Sequence, residues 1–170
     1  MKLIIINGPS GAGKSTVAER LHKELPLSFL LDVDALRRYI SNYREHKKES
    51  LRLAHELAVV IATACLESEH SVIVDKGLFN DDGTLDKLTE AGKKNNAEVF
   101  EFILNADLEA VSKRTEQRGF KEGGLLTPER VVQLWEMMQK VIPDRKNAQV
   151  IDTSHMTSED VYQTVKRLVG

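Results

Sequence analysis

The segment Gly8-Pro9-Ser10-Gly11-Ala12-Gly13-Lys14-Ser15 stands directly after the apolar run Leu3–Ile6 and opens the stretch Lys14–Leu25, which reads as a helix ended before Pro26. Few folds accept glycines, a lysine and a hydroxyl in this order between a buried strand and a helix. The glycines let the backbone turn tightly, so that its N–H groups face inward. The helix N-terminus beyond them adds a partial positive charge. The pattern is a complete Walker A motif in the strand–turn–helix context that motif requires. It predicts a site for a nucleoside triphosphate, ATP with Mg²⁺. Gly8, Ser10, Gly11, Ala12 and Gly13 would surround the phosphates, and Lys14 would reach the β- and γ-phosphates. The Ser15 hydroxyl would ligate Mg²⁺, and Thr16 would stand at the α-phosphate.

The rest of the chain fits that beginning. Short apolar segments at Ser28–Val33, Ser71–Val74, Glu98–Leu104 and Gln149–Ile151 read as further strands. Between them, Ala35–Glu69 reads mostly as helix, broken near Ser41–Asn42 or Glu49–Ser50. Thr84–Asn95 reads as a polar surface helix, and Leu108–Arg118 as a helix capped by Asp107. Thr127-Pro128 opens a helix to about Val141, and Thr157 or Ser158 opens the last, ending near Val169. Alternating strands and helices predict an α/β fold, a three-layer α/β/α sandwich on a five-stranded parallel sheet. Ligands of such sheets bind beyond the carboxyl ends of the strands.

With 170 residues the chain suits one domain, spanning 1–170. A net charge of −2 supplies no global field for non-specific nucleic-acid binding. No apolar run approaches the roughly 20 residues that span a membrane. One cysteine, Cys65, excludes an intrachain disulfide, and with no signal sequence legible the expected compartment is the cytoplasm. Cys65 lies in an apolar run and reads as a core residue.

Two further segments carry chemistry. Asp32-Val33-Asp34 closes the second strand. In extended backbone two carboxylates at this spacing project to one side. One, Asp32, would support Mg²⁺ or its water, and Asp34 would accept the proton of an attacking hydroxyl. The competing role for Asp34 is an N-cap for the helix that follows. Arg37 stands about one turn from Asp34 and would hold the acceptor, against the plainer reading of Arg37 and Arg38 as a solvated face. Asp75, after the apolar strand, has the Walker B arrangement, in which an acid orients Mg²⁺ through water. The stretch Arg37–Lys48 mixes Arg37, Arg38, Arg44, Lys47 and Lys48 with Tyr39 and Tyr43. Basic and aromatic residues together suit a nucleotide end, but an exposed basic helix balanced by Glu45 and Glu49 is the favoured reading.

On Gly8–Ser15, Asp34 with Arg37, Asp75, Arg114 with Arg118, and Val150-Ile151-Asp152-Thr153-Ser154, the chain resembles the small P-loop kinases over nearly its whole length. The likeness is to the hydroxyl-directed group: the polynucleotide 5′-kinase domain, chloramphenicol phosphotransferase, zeta toxins, and gluconate and shikimate kinases. The resemblance implies that Asp34 is general base or acceptor ligand, that Arg37 binds the acceptor, and that Arg114 and Arg118 stand at the entry to a lid over Gly119–Thr127. A lid arginine would stabilise charge spread over the transferring phosphoryl group, which implicates Arg118 with Lys14 as catalytic. Thr153, with Ser154 and His155, would line the adenine by backbone contacts. Acceptor specificity would reside in 35–69 and the lid. The sequence departs from shikimate kinases, which carry a glycine triplet where Asp75-Lys76-Gly77-Leu78-Phe79 stands, and from nucleoside monophosphate kinases, since no arginine follows from Asp75 to Thr89.

The resulting expectation is an ATP- and Mg²⁺-dependent phosphotransferase acting on a hydroxyl of a small molecule. Three alternatives make different demands. A nucleic-acid 5′-hydroxyl kinase, not favoured, requires a basic channel leading to Asp34. A nucleoside monophosphate kinase requires an arginine cluster opposite the P-loop. A non-catalytic nucleotide-dependent switch requires that Asp34 be dispensable.

Overall fold

A computed structural model describes residues 1–77, 82–120 and 124–170. Five parallel strands lie in the order β2-β3-β1-β4-β5: β1 (Lys2–Asn7), β2 (Phe29–Asp32), β3 (Val72–Asp75), β4 (Glu98–Asn105) and β5 (Gln149–Asp152). Helices cover both faces: α1 (Lys14–Glu24), α2 (Val33–Arg38), α3 (Lys47–Glu67), α4 (Thr84–Lys94), α5 (Leu108–Arg118), α6 (Pro128–Val141) and α7 (Ser158–Val169). The fold is the expected α/β sandwich. Alternation along β1 divides the core. Ile4 and Ile6 face α1 and α7 with Val17, Leu21 and Val165, while Leu3 and Ile5 face α3 and α4 with Ala58, Leu85 and Leu88. A central parallel strand buried on both sides has to be apolar throughout, which is why Leu3–Ile6 shows no polar alternation.

The register brings the carboxyl ends of the central strands level. Ile6 of β1 stands opposite Asp75 of β3, and Asp75 opposite Asp32 of β2. On the other side Asn7 pairs with Ile103, and Asn105 with Asp152.

Three readings need correction. The Asp32-Val33-Asp34 segment is not extended throughout: β2 stops at Asp32, and Val33 already belongs to α2. The Asp32 carboxylate accepts the Ala35 N–H at 2.9 Å, so Asp32 is the N-cap and Asp34 lies in the first turn. The helix across 35–69 breaks at the first of the two expected places. Asn42 has φ 53°, and residues 39–46 form a turn, so the basic stretch is not one exposed helix. Finally, α4 is amphipathic rather than polar, burying Leu85, Leu88 and Ala91 against the sheet. Among the described residues no helix is long and apolar enough to cross a membrane.

Candidate active site

The carboxyl ends of β1, β2 and β3 open into a cleft of about 790 Å³. The P-loop forms one wall. Gly8 has φ 144°, and a Cβ there would meet the Leu104 carbonyl oxygen at 2.2 Å, so β4 passing behind the loop leaves room only for glycine. Asn7, fully buried, accepts the Gly8 N–H at 2.8 Å and fixes the start of the loop. Gly13 is the left-handed N-cap of α1 and provides no side-chain cap. The first N–H groups of α1 are therefore left to other acceptors, the arrangement that suits a phosphate.

Lys14 Nζ donates to the Pro9 carbonyl at 2.9 Å and lines the cleft with Gly8, Ser10, Gly11, Gly13, Ser15 and Thr16. Ala12 is buried beneath them. Burial pushes the Lys14 ammonium below its ordinary pKa, opposed by the charges of Asp75 and Asp34. Asp75 is hydrogen-bonded to the Ser15 hydroxyl. Burial raises its carboxyl against the pull of Lys14 and that bond, and the charges of Asp32 and Asp34 raise it further. A cation placed among these carboxylates would relieve that repulsion.

Opposite the loop, Asp32, Asp34, Arg37, Arg38, Tyr43, Arg44 and Lys76 line the cleft. Lys76 forms an ion pair with Asp34 and is 11% exposed, whereas the Asp34 side chain is 61% exposed toward the opening. Partial loss of water to the surrounding cleft would raise the exposed Asp34 carboxyl, but Lys76, by charge and hydrogen bond, with Lys14 and Arg37, holds it below the usual carboxylate range. Arg38 stands 3.7 Å from Asp32. Arg37 donates from Nε to Ser50 Oγ at 3.0 Å and from Nη2 to the Lys47 carbonyl at 2.6 Å.

The two helix arginines separate. Arg118 Nη2 donates to Ser10 Oγ at 3.2 Å, which puts its guanidinium against the P-loop. Arg114 lines the cleft but spends its donors on the segment after β5, reaching the Thr153 carbonyl at 2.6 Å and the Ser154 carbonyl at 3.2 Å. Thr153 is fully buried, and its Oγ1 donates to the Ala12 carbonyl at 3.5 Å. Of the lid expected over 119–127, Lys121, Glu122 and Gly123 lie outside the described residues, and Gly124, Leu125 and Leu126 line the cleft. Leu78 and Phe79 also lie outside them.

Sequence reasoning missed Lys76, Ser50 and Asn7 as parts of the site, whereas Tyr43 was already marked by the basic and aromatic residues around it. Lys76 directly follows Asp75, a position that does signal proximity to the phosphates. Ser50 and Asn7 carry no such mark.

A family model described as an AAA domain matches residues 3–142. The chain belongs to this AAA-domain family. Among solved structures, the AAA-family chain resembles the tunicamycin resistance protein of Deinococcus radiodurans (TM-score 0.66, 19% identity, 100% of this chain and 96% of that one). It also resembles a gluconokinase of Sinorhizobium meliloti 1021 (TM-score 0.67, 17% identity, 98% and 93%). A third similar structure is deoxyadenosine kinase from M. mycoides with products dCMP and dCDP bound (TM-score 0.60, 16% identity, 99% and 98%). At these identities the likeness concerns the fold, that of the P-loop kinases. No curated protein sequence matches the chain.

Proposed function

We propose that the chain is an ATP-dependent phosphotransferase that moves the γ-phosphoryl group of ATP to a hydroxyl of a small molecule. The observation that carries this reading is Asp34: an ionised carboxylate at the open side of a cleft whose other wall is the P-loop. A site built only to bind a nucleotide has no need of a carboxylate facing the phosphates.

The residues divide the work. The backbone of Gly8–Gly13, Lys14 and the α1 N-terminus hold the phosphates. Arg118, hydrogen-bonded to Ser10, would neutralise charge on the transferring group. Asp34 takes the proton of the acceptor hydroxyl as its oxygen bonds to the γ-phosphorus. The bond from that phosphorus to the β–γ bridging oxygen breaks, and ADP leaves with the electron pair. Lys76 engages Oδ1 of Asp34, which leaves Oδ2 to accept that proton.

Mg²⁺ fits the same wall. Ser15 and Asp75 offer hard oxygen donors, with Asp32 beside Asp75. Among the described residues no group of three or more His, Cys, Asp or Glu side chains forms a protein cage for a metal. Magnesium usually takes one or two protein oxygens and completes its shell with water and substrate phosphates. Bound there, it would neutralise β- and γ-phosphate charge.

The test is a coupled ATP-consumption screen over sugars, sugar acids, antibiotics, nucleosides and 5′-hydroxyl oligonucleotides, with Lys14→Ala as background. Acceptor-stimulated turnover with the product phosphorylated on a hydroxyl is expected. ATP binding with no acceptor-stimulated turnover across the panel would favour the nucleotide-dependent switch.

A further inference from the structure

One charge at the centre of the cleft has no task in the chemistry above. Burial pushes the Lys14 ammonium below its ordinary pKa; Asp75 and Asp34 oppose that shift, and Lys76 and Arg118 add to it. Of these four neighbours of Lys14, only Lys76 is left without a part in the transfer.

The sheet sets Lys76 in place. Its backbone N–H donates to the Ile6 carbonyl at 3.3 Å, which carries the β3–β1 pairing one residue past Asp75. Asp75 turns to the Ser15 hydroxyl, and Lys76, the next residue, turns to Asp34 Oδ1. Lys76 and Lys14 line the same cleft from its two walls. An ammonium carries three N–H donors. Among the described residues that of Lys76 meets one acceptor, Asp34 Oδ1.

An ionised Asp34 facing a bound triphosphate sets an anion against an anion, and a cleft holding less water than bulk screens that repulsion poorly. A cation touching both groups relieves it. Lysine suits this place better than arginine, because its charge is compact and its donors can turn to oxygens of two different groups.

We propose that Lys76 is a further catalytic residue, whose ammonium bridges Asp34 Oδ1 and an oxygen of the γ-phosphoryl group. It would hold base and phosphorus at a fixed separation and neutralise the transferring group from the acceptor side, as Lys14 and Arg118 do from the donor side. The proposal rests on the phosphotransferase reading for the role of Asp34, but the contact with the γ-phosphate can be tested without turnover.

The experiment is isothermal titration of the full chain with Mg²⁺ and either ADP or β,γ-imido-ATP. The ratio of the two affinities isolates the γ-phosphate. Lys76→Met alone would also uncover the Asp34 charge, so the deciding comparison is made in Asp34→Asn, which has no charge to uncover. Adding Lys76→Met to Asp34→Asn should cut the preference for the triphosphate analogue by about 10- to 100-fold, the range of one charge-assisted hydrogen bond, with ADP affinity unchanged. Lys76→Arg in the same background should keep most of the preference, and thermal melting checks that each variant folds. A preference equal with and without Lys76 overturns the proposal. Equal weakening of ADP and the analogue also overturns it, since that marks a structural role. With any productive acceptor, Lys76→Met in the otherwise unchanged chain should lower kcat about 10²-fold at saturating substrates on the pH-independent plateau. An unchanged plateau removes Lys76 from catalysis. The two readings fail separately. A lost preference with no acceptor phosphorylated supports the γ-phosphate contact and overturns the phosphotransferase reading, whereas acceptor turnover with the preference intact keeps that reading and overturns the bridge.

Discussion

The two walls of the cleft are built in different ways. The donor wall is a single run of chain: Gly8–Ser15, with Asp75 added from the neighbouring strand and Arg118 from the end of α5. Its geometry is set by backbone, since glycines fit where β4 and α5 press close and α1 begins without a side-chain cap. The acceptor wall is assembled from side chains of α2, the 39–46 turn and the residue after β3, held by Ser50 of α3 and by the Lys76–Asp34 pair. A wall made of backbone tolerates little change and suits a constant ligand. A wall made of side chains on a turn can be rebuilt one residue at a time, which suits the part of the site that chooses among acceptors.

The sharpest way to break this comparison is to remove one group from each wall. Asp34→Asn keeps shape and hydrogen bonding but cannot take a proton. It should lower kcat by about 10²–10⁴-fold while nucleotide affinity stays close to that of the parent. Lys14→Ala should cost about 10²–10³-fold and, unlike Asp34→Asn, should weaken nucleotide binding with every acceptor and with none. Stopped-flow nucleotide binding alongside steady-state rates separates the two. Equal loss of nucleotide binding in both variants would mean that the walls do not divide the work as described.

What the sequence made legible follows the same division. The P-loop could be read because its chemistry needs particular residues at fixed spacing in one segment, and the sheet could be read because buried parallel strands are uniformly apolar. Asp34, Arg37 and Asp75 were placed by their positions after strands. What stayed hidden depends on contacts between distant segments. Nothing local distinguishes Ser50 from any other serine in a helix, and it matters only because the turn folds back to put the Tyr43 carbonyl beside it. The turn itself hinges on Asn42 adopting a left-handed conformation. Asp32 took the capping role because β2 ended one residue earlier than its apolar pattern suggested. Far from the cleft, Glu101 on β4 is nearly buried and is clamped by Arg145 at 2.9 and 2.7 Å, with Asp86 of α4 on the same guanidinium. A charge inside the core has no sequence signature until its partner arrives from 44 residues away.

A subtler probe of the acceptor wall is Lys76→Met. The base works only when ionised, so activity falls as pH drops through the Asp34 pKa. In the parent that pKa lies below the ordinary carboxylate range: burial raises it, and Lys76, with Lys14 and Arg37, more than offsets burial. Removing Lys76 leaves burial opposed by less positive charge, so the pKa rises. The acid limb of kcat/KM should therefore move to higher pH, toward neutrality, and Lys76→Arg should return it. An acid limb that stays in place in Lys76→Met would mean that the Lys76–Asp34 contact does not set the protonation of the base.

The smallest expected effect discriminates most finely between the walls. Ser50→Ala deletes one hydroxyl that does not itself line the cleft, yet orients Arg37 and the Tyr43 carbonyl. Loss of one net hydrogen bond should raise KM for the acceptor about two- to tenfold, leaving kcat and KM for ATP near their parent values. A general loss of stability would lower the melting temperature and impair both substrates alike. Ser50→Thr keeps a hydroxyl at the same place and should recover acceptor KM if the turn accommodates the extra methyl group. A change in acceptor KM alone, restored by the hydroxyl, would tie specificity to the placement of the arginines rather than to their presence. A parallel rise in KM for ATP would instead show that the two walls move together, and that the turn at 39–46 shapes the whole cleft.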